Sequence, residues 1–180
     1  ELAKAASRGR PCSRGCPFGY RGFSHLLDFG TDPRAAAWFL VPIGFYKCTA
    51  CDTYCLDSGD LESTAKIFTK GAIHSSGNIL QGYSGVFNTY ESVIIFYDDE
   101  DNEVEYNRLK CSPKTKHLNT NIQYSFNPDV TLANVSSYFT VYQTIKSKTQ
   151  IVVGGKYEDE FLFDRQWYLK LRLKKIELIL

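Results

Sequence analysis

The chain has 180 residues, of which 43% are hydrophobic and 23% are charged, and its formal net charge is +1. A chain of this length is expected to fold as a single domain, 1–180, around its own hydrophobic core. The small net charge does not favour a nucleic-acid partner, and no apolar stretch reaches the roughly 18 residues that a membrane-spanning helix needs.

Residues 1–30 are predicted to form an irregular basic arm. They carry Arg8, Arg10, Arg14 and Arg21 among many glycines, alanines and serines. Such arms contact phosphates or neighbouring subunits in some assemblies. The charge density here is modest and is more typical of a solvated terminus.

Residues 31–78 are predicted as a Cys-rich region with one or two short helices. An acidic residue and a proline before three alanines, at 32–37, are typical of a helix start. The stretch 60–70, which Gly71 ends, fits a second helix or, alternatively, a strand.

Residues 79–180 are predicted as an antiparallel β region. The stretch 93–97 is apolar at every position, as expected of a strand that is buried on both faces, and an acidic turn at 98–103 joins it to a partner strand. The stretch 137–180 is predicted as four strands with turns at 146–148, 154–155 and 164–165. The predicted fold class is therefore mostly β, an antiparallel β-sandwich or an up-and-down β-barrel with one or two short helices in the N-terminal half.

The last strand changes phase. Its apolar residues occupy odd positions and then even ones, and the change coincides with Lys174 and Lys175, which predicts a β-bulge or a crossover there. The residues before and after it are each expected to face a buried layer: Trp167, Leu169, Leu171 and Leu173, and then Ile176, Leu178 and Leu180.

The cysteines favour an oxidising, extracellular setting. Their number is even, as disulfide pairing requires, and Cys111 is predicted to bond to the cluster Cys48, Cys51 and Cys55. The clustered thiolates suit zinc as an alternative, although no metal site is predicted. Asn134 begins an N-glycosylation acceptor and is expected to be exposed and modified. The candidate disulfide residues are Cys12, Cys16, Cys48, Cys51, Cys55 and Cys111.

One set of segments resembles a known family. The stretch 93–97, residues 104–106 and Cys111, with Pro11 and Cys12 upstream, are similar to the ependymin family of secreted β-sandwich proteins. The resemblance implies a secreted β-sandwich. That family carries further cysteines near its C-terminus, and this chain departs from it because none follows Cys111.

No catalytic residue or cofactor is predicted. The three histidines lack motif spacing, and His74 with Ser75 or Ser76 gives only a hydrolase alternative. The 12 Tyr and 12 Phe residues favour instead a secreted, non-enzymatic protein that binds a small apolar ligand in a β-barrel or inter-sheet pocket. Alternatives are a structural jelly-roll subunit of a larger assembly, and a homo- or hetero-oligomer or protein partner bound through a Tyr-rich sheet face. The candidate ligand-binding residues are Trp167, Phe161, Phe163, Phe139 and Tyr124.

Overall fold

The computed structural model describes residues 52–108, 110–164 and 166–179. Residues 52–57 are helical. The remaining elements, in chain order, are α1 (Leu61–Ile67), β1 (Ala72–Ser75), β2 (Asn78–Gln81), α2 (Gly82–Val93), β3 (Phe96–Tyr97), β4 (Glu103–Val104), β5 (Thr115–Phe126), β6 (Leu132–Ile145), β7 (Lys148–Asp164) and β8 (Gln166–Ile179).

The architecture is one six-stranded sheet with helices packed on one face. The strand order is β2-β1-β8-β7-β6-β5, and β3 and β4 form a separate short hairpin. The sheet is mixed, because β1 pairs with β8 in parallel while the other neighbours are antiparallel. A mostly β fold with helices in the N-terminal half is confirmed. The expectation of a sandwich or barrel is wrong, because the second layer over the sheet is helical.

The main core lies between the helices and the sheet. Asp60 caps α1 by accepting a hydrogen bond from the Ser63 amide, which places the apolar side of the helix on the sheet. We call the sheet face that the helices cover the inner face, and the opposite one the outer face. The buried residues of this core are Ala65, Phe68, Ile73, Val86, Ala133, Val135, Phe161 and Leu169.

Two parts of the predicted β region have a different structure. Residues 82–93 form α2, and its aromatic residues Tyr83, Phe87 and Tyr90 recur at helical spacing beside the buried Val86. The predicted central strand at 93–97 shrinks to the two residues of β3, because its first residue ends α2. The acidic segment after it does form a hairpin turn, in which Asp98 accepts hydrogen bonds from the amides of Glu100 and Asn102.

The glycine pair at 154–155 is not a turn. It lies inside β7, where the register with β8 shifts between Gly154 and Gly155. A Cβ atom on Gly155 would clash with the carbonyl oxygen of Lys175. Glycine is therefore required by the close approach of two strands at a bulge, and the predicted four-stranded meander has three longer strands instead.

A second register shift on β8 overturns the predicted faces. Leu169 pairs with Phe161, but Leu171 pairs with Glu160, so Lys170 is the extra residue of a bulge. Leu169 stays on the inner face and is buried, whereas Leu171 moves to the outer face and is only partly buried. The phase change predicted at Lys174 and Lys175 is also displaced: the C-terminal bulge lies between residues 176 and 178. The side chains of Trp167, Leu178 and Leu180 lie outside the described part.

Candidate functional site

An ion cluster lies on the inner face where the bulge has turned β8. Arg172 pairs in register with Asp159 of β7, and its Nε and Nη2 atoms donate to the two Asp159 carboxylate oxygens at 2.9 and 2.8 Å. The Nη1 atom donates to Oδ2 of Asp52, in the helical stretch 52–57. The contact with Asp159 is bidentate, a geometry that the planar guanidinium group favours.

The cluster is almost fully removed from water. Relative exposures are 2% for Arg172, 3% for Asp159 and 5% for Asp52. Burial opposes the charged guanidinium, but Asp159 and Asp52 keep the pKa of Arg172 well above its ordinary value. Burial raises the pKa of Asp159, although the charge and hydrogen bonds of Arg172 act in the opposite direction. The cluster thus holds a permanent cation between two carboxylates.

Aromatic rings surround the guanidinium. The Arg172 Cζ atom lies 4.3 Å from the centroid of Tyr157 and 5.8 Å from that of Phe68. Burial raises the pKa of Tyr157. Burial, with a further contribution from Asp52, also raises the pKa of Tyr90 on α2. Both phenols therefore keep their protons at neutral pH and can donate hydrogen bonds.

One carboxylate oxygen of this ion cluster is not satisfied by the described residues. The Oδ2 atom of Asp52 accepts from Arg172, but its Oδ1 atom is buried and has no hydrogen-bond partner among the described residues. A buried carboxylate oxygen without a partner is costly. An oxygen in this position can accept a proton or a hydrogen bond from a bound molecule.

A second polar pair lies elsewhere on the sheet. His117 of β5 contacts Asp57 through Nδ1 at 2.6 Å and through its amide at 2.9 Å, and Thr115 donates to the same carboxylate. Burial acts to raise the pKa of Asp57, but hydrogen bonding and charge from His117 outweigh it and leave the pKa lowered. These contacts tie the helical stretch 52–57 to the edge strand.

The predicted ligand-binding residues do not come together. Phe161 is fully buried in the main core, and Phe139 stacks on Tyr157 at 4.2 Å between ring centroids, so both occupy the inner face. Tyr124 is 46% exposed and lies on the inner face of the edge strand β5, opposite Val135 in the register. Phe163 is exposed, and the side chain of Trp167 lies outside the described part.

The sequence reasoning missed the charged residues. Arg172 was assigned to the polar, outward side of β8, and Asp52 to a Cys-rich loop. The available signal was a basic residue on the last strand, Arg172, and an acidic residue on the preceding strand, Asp159, spaced so that the two can pair across a hairpin.

The comparisons with known proteins assign the family. Residues 49–172, well over half of the chain, match the SnoaL-like domain. The chain belongs to this family. Comparison with curated protein sequences gives no match.

Several solved structures share the fold of this chain. A protein described as a candidate scytalone dehydratase from Novosphingobium aromaticivorans is 20% identical, with 80% of this chain and 89% of that chain covered and a TM-score of 0.60. LinA is 12% identical, with coverages of 80% and 90% and a TM-score of 0.62. ActVI-ORFA from Streptomyces coelicolor is 13% identical, with coverages of 76% and 97% and a TM-score of 0.58. Another neighbour is described as having a cystatin-like fold.

These findings correct the predicted class of protein. A SnoaL-like domain whose neighbours include a dehydratase candidate contradicts a non-enzymatic carrier, and with it the jelly-roll subunit and the resemblance to ependymins. A small-molecule ligand agrees with the family. No described helix is long and apolar enough to cross a membrane.

Among the described residues, the predicted disulfide at Cys111 is also wrong. Cys111 is a buried free thiol, whose Sγ atom donates to the Asn107 carbonyl and accepts from the Asn107 amide. Nothing in the SnoaL-like family membership supports glycosylation or secretion, and the extracellular location stays a prediction. Asn134 is exposed, but within β6 rather than in a turn. His74 lies within β1, and the described residues form no group of metal ligands. Cys12, Cys16, Cys48 and Cys51 lie outside the described residues.

Proposed function

We propose that the chain is an enzyme that transfers protons on a small organic substrate carrying a carbonyl group. The observation that carries the proposal is the buried Oδ1 atom of Asp52, which no described residue satisfies with a hydrogen bond. Family membership and the enzymes among the structural neighbours support it.

The proposed base is Asp52. Its Oδ2 atom is fixed by Arg172, so Oδ1 is held in one place and is available to remove a proton from carbon. The guanidinium keeps a negative charge on the carboxylate tolerable in a buried site. Arg172 and Asp159 act in this scheme as positioning residues, because their contacts are with each other and with Asp52.

The proposed acids are the two phenols. Removal of a proton next to a carbonyl places negative charge on the carbonyl oxygen, and hydrogen-bond donors directed at that oxygen lower the barrier. Tyr90 and Tyr157 remain protonated because burial raises their pKa values. The enolate so stabilised can be reprotonated, expel a leaving group or close a ring, and the substrate decides between these outcomes.

Carbon-acid exchange tests the proposal without knowledge of the natural substrate. The protein is incubated in D₂O with 2-tetralone or 1,3-cyclohexanedione, and loss of the proton signal beside the carbonyl is followed by NMR. We expect exchange above the buffer rate, and a fall of about 10²-fold or more in Asp52→Asn, as for loss of a general base. The matched control is Asp57→Asn, in the same helical stretch, which should retain exchange. Exchange that is absent with both compounds, or unchanged in Asp52→Asn, contradicts the proposal.

A further inference from the structure

A lysine lies on the inner face beside the ion cluster. Lys174 is two residues beyond Arg172 on β8 and pairs in register with Tyr157. Its Nζ atom lies 5.3 Å from the ring centroid of Phe139, and that ring stacks on Tyr157. The amine is therefore held against an aromatic surface, on the same side of the sheet as the proposed base.

Unlike Arg172, Lys174 is not paired with a carboxylate of the described residues. Arg172 binds two carboxylates, whereas Lys174 has no hydrogen bond or ion pair with any residue that the structure describes. The outward-facing Lys156, Lys170 and Lys175, by contrast, each pair with a glutamate. A partly buried lysine that lacks such a partner is unusual, because a buried ammonium normally needs one.

Two features of the surroundings lower the pKa of Lys174 from its ordinary value. Burial lowers the pKa of Lys174, the charge of Arg172 lowers it further, and Asp52 acts in the opposite direction. Desolvation and a neighbouring cation are the two means by which proteins turn a lysine into a nucleophile. On the outer face Glu160 raises the pKa of Lys170, so that lysine remains a protonated surface cation.

We propose that Lys174 is a nucleophilic amine that captures the carbonyl group of an aromatic aldehyde or ketone on the inner face as an imine. The buried Phe139 ring, stacked on Tyr157 and 5.3 Å from the Lys174 amine, makes the surroundings of that amine apolar and aromatic. Covalent capture goes beyond the proton-transfer function proposed above, and it requires no external oxidant or reductant.

The step balances in atoms and electrons. The nitrogen lone pair forms a bond to the carbonyl carbon while the C=O π electrons move to oxygen, and one amine proton is transferred to that oxygen. The resulting carbinolamine loses its hydroxyl group, with the second amine proton, as water, and the C=N bond forms. The Tyr157 phenol, opposite Lys174 in the sheet, relays this proton: it donates its own proton to the departing hydroxyl and takes up the second amine proton, so that no net proton is consumed.

Reductive trapping tests the inference. The full chain is incubated at neutral pH with 4-hydroxybenzaldehyde and sodium cyanoborohydride, which reduces an imine to a stable secondary amine, and the labelled lysines are identified by peptide mass spectrometry. We expect Lys174 to be labelled several-fold faster than Lys170, because burial and Arg172 lower the pKa of Lys174 while Glu160 raises that of Lys170. Equal labelling of these two lysines overturns the inference.

Variants separate this inference from the proposed function. Lys174→Arg keeps a long basic side chain but removes the nucleophilic amine, and it should lose the fast-labelled site. Lys170→Arg, the matched control, should keep that site, and circular dichroism verifies that both variants fold. Asp52→Asn should still be trapped at Lys174, because removal of a nearby negative charge favours the neutral amine. Trapping that persists in Asp52→Asn without carbon-acid exchange would therefore leave the two proposals independent. Fast labelling that survives Lys174→Arg overturns the inference.

Discussion

Replacement of Arg172 by methionine should destabilise the fold strongly. The variant keeps an unbranched side chain of comparable length but leaves Asp52 and Asp159 as two buried carboxylates without a counter-charge. Breaking a buried ion pair by removing one partner costs about 3–5 kcal/mol. The free energy of unfolding, measured by urea denaturation at pH 7, should fall by that amount.

The pH dependence of this loss distinguishes electrostatics from packing. Burial already raises the pKa of Asp159 above its ordinary 3.8, and removal of Arg172 should raise it further. A carboxyl whose folded pKa is raised binds its proton more tightly in the folded state, so its penalty is absent below the unfolded pKa and grows as the pH rises through the folded one. The deficit of Arg172→Met should therefore shrink as the pH is lowered towards 4.

Two further variants make the prediction falsifiable. Lys170→Met removes an exposed partner of Glu160 and should leave the unfolding midpoint nearly unchanged, as expected of a surface pair. The triple variant that adds Asp52→Asn and Asp159→Asn to Arg172→Met should regain part of the lost stability. An unchanged midpoint in Arg172→Met, or a deficit independent of pH, would refute the assignment of a buried ion cluster.

Three other outcomes follow from single contacts. Asp57→Asn should reduce the loss of folding stability in acid. The pairing with His117 lowers the pKa of Asp57, so this pair contributes stability above a pH of about 3.8 and loses it as the pH falls through the folded pKa. An unchanged curve of stability against pH between 5 and 3 contradicts this. Gly155→Ala should lower the melting temperature because the new Cβ meets the Lys175 carbonyl, and an unaltered melting temperature would remove the bulge argument. Cys111 should react with iodoacetamide without reductant only after unfolding; resistance in the unfolded chain would show a disulfide.

The elements that the sequence predicts correctly depend on signals from residues close together in the chain. The turn at 98–103 and the helix after Asp60 depend on capping and turn residues that act within a few positions. The long strands of the C-terminal half depend on period-two alternation, which is also local. Residues 82–93 were missed because their aromatics are compatible with both periods over a short window, and contacts with α1 and the sheet decide in favour of the helix.

The faces of β8 could not be predicted from alternation alone. One extra residue at Lys170 reverses which side chains point inward. Alternation placed Arg172 with the polar outer residues, and the bulge places it on the inner face. The partner that completes the cluster is Asp52, 120 residues earlier in the chain, a distance at which no local pattern can report a contact.

The free-energy cost of burying the ion cluster bears on the question of its function. A buried arginine between two carboxylates is weak evidence for stability, because well-packed apolar residues of similar volume commonly serve as well or better. The inner face of this sheet also carries the buried apolar residues Val135, Phe161 and Leu169, so apolar side chains fit the same environment. The polar cluster therefore needs a reason other than folding. Under the proposed function, the Oδ1 atom of Asp52 supplies that reason: it is fixed by Arg172, has no hydrogen-bond partner among the described residues, and is a base held ready for a bound substrate.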